Sequence, residues 1–473
     1  MTTARPLHGY VRAVGAAAPT LRLTARDVNA SWGRNGGRGQ VGVCRSDEDP
    51  LTLAWTAVDR ALDAVRLGPS DIDGLWWGCS RPPFSEGPSW THLAAALRLG
   101  PTTDGSLLSG STHAGVEALL AASDAVAAGR VQNAVVVVSD ALVPATGSSH
   151  EVAAGAGAAA VVLSAGVGPA RLDTAASGWL PVLDRYRGDH ESETRDAYDG
   201  RLFRDEVFLP LLTDVGRGLD DDDGARWSLP DPDGRLGAAL ARALGAGPVV
   251  SGWSRAELGD TGAAAALLGA ASALADPGRV DLLAYGGGRA TAVRIVVQEP
   301  VPGADRVDTD LAPGRPATYA EALRARRVLR PTGESVEMAV PPGSAMFVRG
   351  NTEVLGLLGA RCVECGTVNT PPSVHPACIA CGHDKFDTVP LARTGTVQTF
   401  VVNQTMPAPF EAPLPLVVVD LADGSRIMLQ GAGDGSDLAI GAPVHLVLRR
   451  YTVERGVPVY GWKVVATAQG DVR

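Results

Sequence analysis

Between Ser106 and Leu119 the chain reads SLLSGSTHAGVEAL: a short apolar run, a tight small-residue turn, then an Ala-rich helical segment. Such a turn presents a side chain and backbone N–H groups at a helix start, where the dipole favours a nucleophile's anion or a developing oxyanion. Here the turn holds Ser111, Thr112 and His113, and no cysteine. An alcohol nucleophile at Ser111 or Thr112 needs an adjacent base. His113 is next in sequence, but successive helical residues point ~100° apart. His150, in SSHEVAAGAGA, is a second candidate base, whereas His190 lies in the acidic stretch GDHESETRDAYDG. The stretch AYGGGRA brings Tyr285 and three glycines, Gly286, Gly287 and Gly288, whose N–H groups can bind a polarised carbonyl oxygen.

A second constellation is metal chemistry. CVECGTVNTPPSVHPACIACG places Cys362 and Cys365 two residues apart, then twelve residues, then Cys378 and Cys381. Two Cys-x-x-Cys knuckles supply the four thiolates of a tetrahedral zinc site. Gly366 and Gly382 follow the knuckles and suit turns that aim N–H groups at the thiolates. Four thiolates leave no open position, so the expected zinc is structural, and the nearby His375 and His383 read as surface residues. The remaining cysteines, Cys44 and Cys79, are isolated, which is not a secreted disulfide framework.

The chain has 473 residues, a formal net charge of −10 and only two lysines, Lys385 and Lys463. The negative balance speaks against nucleic acid and anionic membrane as partners. No lysine precedes Lys385, so no Schiff base to a substrate or to pyridoxal phosphate can form in the front part. MTTARPLHGYVRAVG has no apolar run of signal-peptide length and no stretch approaches a membrane span; the expectation is a soluble cytoplasmic protein.

These residues must be positioned by about three domains. Residues 1–300 alternate helical and strand patterns: LTLAWTAVDRALDAVRLG (helix), IDGLWWGCS (strand), THLAAALRLG (helix), SLLSG (strand), VEALLAASDAVAAG (helix), then the buried strands NAVVVVSDAL and GAAAVVLSAG. A second, more degraded round reads GRLGAALARALGAG (helix), PVVSGWS (strand), TGAAAALLGAASALADPG (helix) and VDLLAYGGG (strand). The shared order suggests duplicated halves, about 1–166 and 167–300. Residues 301–345 read as a Pro/Gly-rich linker with one helix at TYAEALRARRVL. A helix (NTEVLGLLG) plus the zinc ribbon would fill 346–390, and short strands with an Asp423-Gly424 hairpin signal would make a small barrel over 391–473.

From the ribbon onward, GARCVECG, the prolines at 371–372, CIACG, LARTGTVQTF, VDLADGSRI and IGAPVHL resemble the zinc-ribbon/OB-fold domain that accompanies acyl-CoA enzymes, over about residues 346–468. Members of that family are partners of, or fused to, thiolase-like enzymes. OB-folds also bind nucleic acid, but seven basic side chains here balance seven acidic ones from residue 391 on, a poor groove for phosphates.

The front part is similar to 3-hydroxy-3-methylglutaryl-CoA synthase-like proteins of the thiolase superfamily. The residues that carry the similarity are DEDPLTLAWTAVDRAL (47–62), the turn at 111–115, GAGAAAVVLSAG (155–166), LDRYRG (183–188), LGDTGAAAALLG (258–269) and AYGGGRA (284–290). GAGAAA also matches a dinucleotide fingerprint, but a strand pattern follows it where a helix is required. The resemblance implies an α/β thiolase-like αβαβα core of duplicated halves, followed by a zinc ribbon and an all-β OB-fold barrel. It also implies a homodimer through the core, and as substrate a CoA or phosphopantetheine thioester, delivered as acyl-CoA or on acyl carrier protein.

In those synthases a cysteine carries the acyl group, a Glu and a His move protons, and an Asn holds substrate. Here the cysteine position falls on Thr112, the Glu near Ser80, the His in WSLPDPDGR, which has none, and the Asn on Asp260. Cys79 reads as a buried strand-end residue and Cys44 as uninvolved. The resemblance therefore implies an enzyme that forms or cleaves a C–C bond by aldol, retro-aldol or Claisen-like chemistry without an acyl-cysteine, in bacterial secondary or lipid metabolism. A group of acyl-CoA retro-aldolases paired with the same zinc-ribbon/OB domain is similar in this respect. Candidate bases are His113, Asp260, Tyr285 and His150; candidate substrate-binding residues are Ser80, Gly286, Gly287 and Gly288. Two alternatives stand: an acyltransferase using Thr112 or Ser111, and a non-catalytic acyl-thioester-binding scaffold.

Overall fold

The strands of residues 10–164 and those of residues 170–297 repeat one topology. In the first half, Asp104–Leu108, Gly74–Gly78 and Asn133–Ala141 run parallel, and Ala156–Ser164 and Tyr10–Ala17 follow antiparallel. In the second, Arg226–Ser228 runs parallel to Gly278–Gly286, and Arg289–Val297 and Ala170–Trp179 follow antiparallel. The fifth position is a single bridge, Trp227 to Val249. The computed structural model describes residues 4–197, 199–219, 224–329, 350–406, 410–454 and 457–467. They form two units: one over residues up to Trp90 and Leu99–Leu329, the other of Thr91–Arg98 and the residues from 330 on.

PVVSGWS was expected as a strand and forms only that bridge, because the Ser251 hydroxyl takes both the N–H and the C=O of Leu229 (3.1 and 3.2 Å) and helix Gly252–Leu258 starts at once. The pairing partners that would extend the strand are thereby used up.

Helices complete five layers. Helix Pro50–Val65 starts sharply because the Asp49 carboxylate accepts the N–H groups of Leu51 and Thr52, with Pro50 at the first position. It packs on Tyr10–Ala17, Asn133–Ala141 and Ala156–Ser164. Ala114–Ala127 and Ala265–Ala271 touch one another between the half-sheets, and Leu209–Arg217 packs on the second half-sheet from outside. Alanine dominates the two central helices because both of their faces are buried; Val116, Leu119, Leu267 and Leu268 join Val136, Val161, Leu282 and Val293 in one core.

Residues 301–329, read as a linker, carry ordered elements of the first unit. Val307 and Leu311 are buried on helix Val307–Leu311, and Arg315–Pro316 extends the small sheet of Leu21–Thr24 and Gln40–Val43. The buried Arg22 guanidinium fixes this segment by donating to the carbonyls of Leu311 and Pro313 (2.7 and 2.9 Å). The expected helix appears at Tyr319–Ala325. The boundary read at 345/346 lies outside the described residues.

In the second unit, helix Asn351–Gly356 stops at Leu357, whose φ is +49°, so the rest of NTEVLGLLG becomes strand Leu358–Cys362. That strand pairs with Val368–Asn369 and Phe386–Pro390. Five strands then close a barrel in the order Thr394–Asn403, Leu414–Leu421, Arg426–Gly431, Val457–Ala466, Pro443–Glu454. Gly424 sits in the expected hairpin at φ +84°. The Arg98 guanidinium donates to the carbonyls of Gly356 and Leu391 (2.6 and 2.9 Å) within this unit. Among the described residues no helix is long and apolar enough to cross a membrane.

Gly115 of helix Ala114–Ala127 packs against the turn that leads into Ala265–Ala271: a Cβ there would lie 1.9 Å from the Ala263 carbonyl oxygen. Gly115→Ala is therefore expected to destabilise the chain by roughly 1–3 kcal/mol through forced separation. Thermal denaturation checks this, with a lowered midpoint expected and an unchanged one contradicting the packing argument.

Candidate functional site

The strand ends and helix starts of both halves converge on a cavity of about 290 Å³. Ser111 and Thr112 reach it from the start of Ala114–Ala127, and Asp260 and Gly262 from the segment that leads into Ala265–Ala271. Ser80 and Arg81 follow strand Gly74–Gly78, and Asp231 follows the equivalent strand Arg226–Ser228. Tyr285, Gly286 and Gly287 come from a two-residue hairpin turn in which Gly287 and Gly288 both have positive φ (57° and 73°). Of the residues singled out in the sequence, Ser80, Ser111, Thr112, Asp260, Tyr285, Gly286 and Gly287 line the cavity, whereas His113, His150 and Gly288 do not.

Thr112 is held rather than activated. Its hydroxyl donates to the Tyr285 carbonyl at 2.8 Å, and the Ser111 oxygen accepts the His113 N–H at 3.2 Å. His113 points into the core: Nε2 lies 2.9 Å from Thr291 Oγ1 and Nδ1 3.2 Å from Glu117 Oε1. The His113 ring and Arg289 hold the Glu117 carboxyl below its usual range. Cys79 is fully buried with Sγ 3.8 Å from Asp140 Oδ1, and burial followed by that carboxylate pushes its thiol well up, away from the reactive thiolate.

Tyr285 is the polar group aimed differently. Its hydroxyl donates to Asp184 Oδ2 at 2.6 Å, and its ring is wedged edge-on between Phe203 and Phe208 (5.8 and 5.5 Å). Asp184 belongs to LDRYRG and was not selected in the sequence; nothing there indicated that its carboxylate faces Tyr285. Asp231, also unselected, occupies the PDPDG stretch where the resemblance led to a missing His. Burial raises its carboxyl against the pull of the Gly237 N–H. Asp140, at the end of Asn133–Ala141, joins the halves by accepting the N–H groups of Ala263 (2.9 Å) and Ser80 (3.3 Å). Its burial raises that carboxyl too.

Asp260 is ion-paired. Its Oδ1 accepts the Gly262 N–H (3.0 Å), its Oδ2 takes Arg185 (3.3 Å), and His150 Nε2 is 3.9 Å away. Burial alone would raise this carboxyl, but His150 and the Arg185 charge outweigh it and hold it at about 2. Burial, then Arg185, push the His150 ring below its usual range, so at neutral pH it is uncharged.

In the second unit the four sulfurs of Cys362, Cys365, Cys378 and Cys381 lie within 4.8 Å of one another, with 3.6 Å between Cys362 and Cys381 and 3.5 Å between Cys365 and Cys378. A tetrahedron of ~2.3 Å zinc–sulfur bonds has edges of about 3.8 Å, so the set fits one ion. Gly366 and Gly382 take the left-handed conformation (φ 75° and 77°) that the knuckle turns need, and the Ala380 N–H points at Cys378 Sγ (3.4 Å).

Residues 388–449 match the family described as ChsH2, C-terminal OB-fold domain. The chain is 28% identical over 306 residues to hydroxymethylglutaryl-CoA synthase of Thermococcus sibiricus, spanning 61% of this chain and 86% of that one. The chain resembles the hydroxymethylglutaryl-CoA synthases of the thiolase superfamily. A structure of MvaS in complex with 3-hydroxy-3-methylglutaryl coenzyme A superposes with TM-score 0.60 at 20% identity, covering 71% of this chain and 95% of that one. The curacin biosynthetic pathway HMG synthase in complex with acetyl donor-ACP gives 0.58 at 17% identity, with coverages of 68% and 88%. These two likenesses establish the thiolase fold of the first unit.

The depressed Asp260 predicts a signature in acid. Its folded value of about 2 lies below the unfolded carboxylate value of ~3.9, so the ion pair contributes fully above pH ~4 and is lost as pH falls toward 2. The stability gap between the wild type and Asp260→Asn should narrow by ~2 kcal/mol over that window. Denaturant midpoints measured at a series of pH values check this, and a constant gap contradicts it.

Proposed function

We propose that this chain binds an acyl-CoA or acyl-carrier thioester and makes or breaks a carbon–carbon bond through the thioester enolate, with no acyl-enzyme. The observation that carries this is the pairing at the cavity: the Thr112 proton is committed to the Tyr285 carbonyl, while the Tyr285 hydroxyl is hydrogen-bonded to Asp184. The relatives named above supply the substrate class, since one is an HMG-CoA synthase and another was captured with an acetyl donor-ACP.

In the cleavage direction, the substrate is a β-hydroxyacyl thioester. Tyr285 Oη takes the hydroxyl proton as its own proton passes to Asp184. The electron pair of the breaking C–C bond moves into the thioester, leaving an aldehyde or ketone and an enolate. The enolate oxygen is bound by backbone N–H groups at Thr112 and at the glycine hairpin. Asp231, whose burial favours its protonated form, delivers a proton to the enolate carbon and yields the shortened thioester. Run in reverse, the same steps are an aldol addition. The setting is bacterial secondary or lipid metabolism in the cytoplasm.

The test is turnover of a panel of 3-hydroxyacyl-CoA esters, and of acyl-CoA with aldehydes or ketones, followed by mass spectrometry of the products. Tyr285→Phe should lower kcat by roughly 10²-fold or more. Tight binding of thioesters with no turnover across the panel would contradict the reading and favour a non-catalytic scaffold.

The four cysteines are proposed to hold one structural zinc ion that fixes the fold of the ribbon. Metal analysis should find one zinc per chain, lost in Cys378→Ser; metal-free wild-type protein contradicts it. We also propose a homodimer through the first unit, whose strand Asp104–Leu108 ends the sheet with one edge unpaired among the described residues. Light scattering should give twice the chain mass, and a monomer refutes it.

A further inference from the structure

Three arginines line the cavity: Arg81, Arg185 and Arg187. Arg185 is neutralised by Asp196 (2.9 Å) and Asp260 (3.3 Å). Arg81 and Arg187 have no such ion pair. Among the described residues neither has a carboxylate within 4.0 Å, and the partners they do have are uncharged: Arg81 donates to the Ser192 carbonyl and Arg187 to the Glu191 carbonyl (2.5 and 3.2 Å).

The carboxylates of the cavity are engaged elsewhere. Asp184 takes the Tyr285 hydroxyl, Asp260 takes Arg185, and Asp231 takes the Gly237 N–H. Two guanidinium groups thus share one concave surface with no carboxylate in ion-pair contact among the described residues, and Asp140 and Glu193 act on Arg81 only from a longer distance. Burial and then the charge of Arg187 weigh against the protonated form of Arg81 and outweigh the opposing pull of Asp140 and Glu193. Such an arrangement is unfavourable for an empty pocket and favourable for one that receives an anion.

We propose that Arg81 and Arg187 form a carboxylate subsite, and that the acyl chain handled here carries a free carboxylate. This rests on the thioester reading above and narrows its substrate class. Arg81 lies one residue beyond Ser80, and both line the cavity with Thr112 and Tyr285, so an anion held there shares the cavity with the reacting carbons. The nucleotide phosphates of coenzyme A lie at the far end of the pantetheine arm from the thioester, which is why a carboxylate and not a phosphate is assigned. A planar guanidinium matches a carboxylate in two parallel hydrogen bonds.

The experiment is calorimetric titration of the full chain with succinyl-CoA, butyryl-CoA and free coenzyme A, repeated with Arg81→Gln and Arg81→Lys. The expected result is a preference for succinyl-CoA over butyryl-CoA of about tenfold or more, falling to near one in Arg81→Gln and partly kept in Arg81→Lys. Thermal denaturation confirms that each variant is folded. Equal binding of the two esters by the wild type overturns the subsite while leaving the thioester reading intact. Loss of affinity in Arg81→Gln that is the same for both esters and for free coenzyme A also overturns it, because the arginine then serves the phosphates. Binding of none of the three overturns both.

Discussion

The structure of the first unit depends on how closely backbone can approach the start of helix Ala114–Ala127. A Cβ on Gly78 would lie 2.5 Å from the Ala114 carbonyl oxygen, one on Gly115 1.9 Å from that of Ala263, and one on Gly286 2.4 Å from Thr112 Oγ1. Three glycines from three separate elements therefore let two half-sheets and two helices close around one turn. The same approach places the glycine hairpin against the Ser111–His113 turn, so the packing constraint and the site are one feature.

Once that turn is fixed, the chemistry open to it follows from which protons are already committed. The Thr112 hydroxyl is spent on a carbonyl, and the His113 ring is spent on Thr291 and Glu117. Cys79 is sealed next to a carboxylate, which opposes ionisation. What remains facing the cavity is a phenol bonded to a carboxylate, a second carboxyl raised by burial, and a cationic wall. That set suits proton transfer beside a stabilised enolate better than covalent acyl transfer.

Much of the fold was legible because burial leaves a periodic trace. The helix over Pro50–Val65 announces itself through Asp49, Pro50 and apolar spacing, and the paired Cys-x-x-Cys knuckles through spacing alone. Strand PVVSGWS was misread because its apolar residues gave no hint that the Ser251 hydroxyl would replace the ladder. The connector at 301–329 looked loose because its order comes from Arg22, almost 300 residues earlier. At the site, residues in turns with unusual chemistry stood out, such as Thr112, Tyr285 and the glycines. Asp184, Asp231 and Arg81 did not, because a charged residue in a loop usually faces solvent, and only the tertiary fold turns these three inward.

The measurement that bears most directly on this account is the intact mass of the chain after incubation with acyl-CoA and acyl-carrier thioesters. The mass is expected to stay unchanged while the thioester binds, because the Thr112 proton is held by the Tyr285 carbonyl and Cys79 is buried. An acyl adduct that maps to Thr112, Ser111 or Cys79 would contradict it and restore a covalent route.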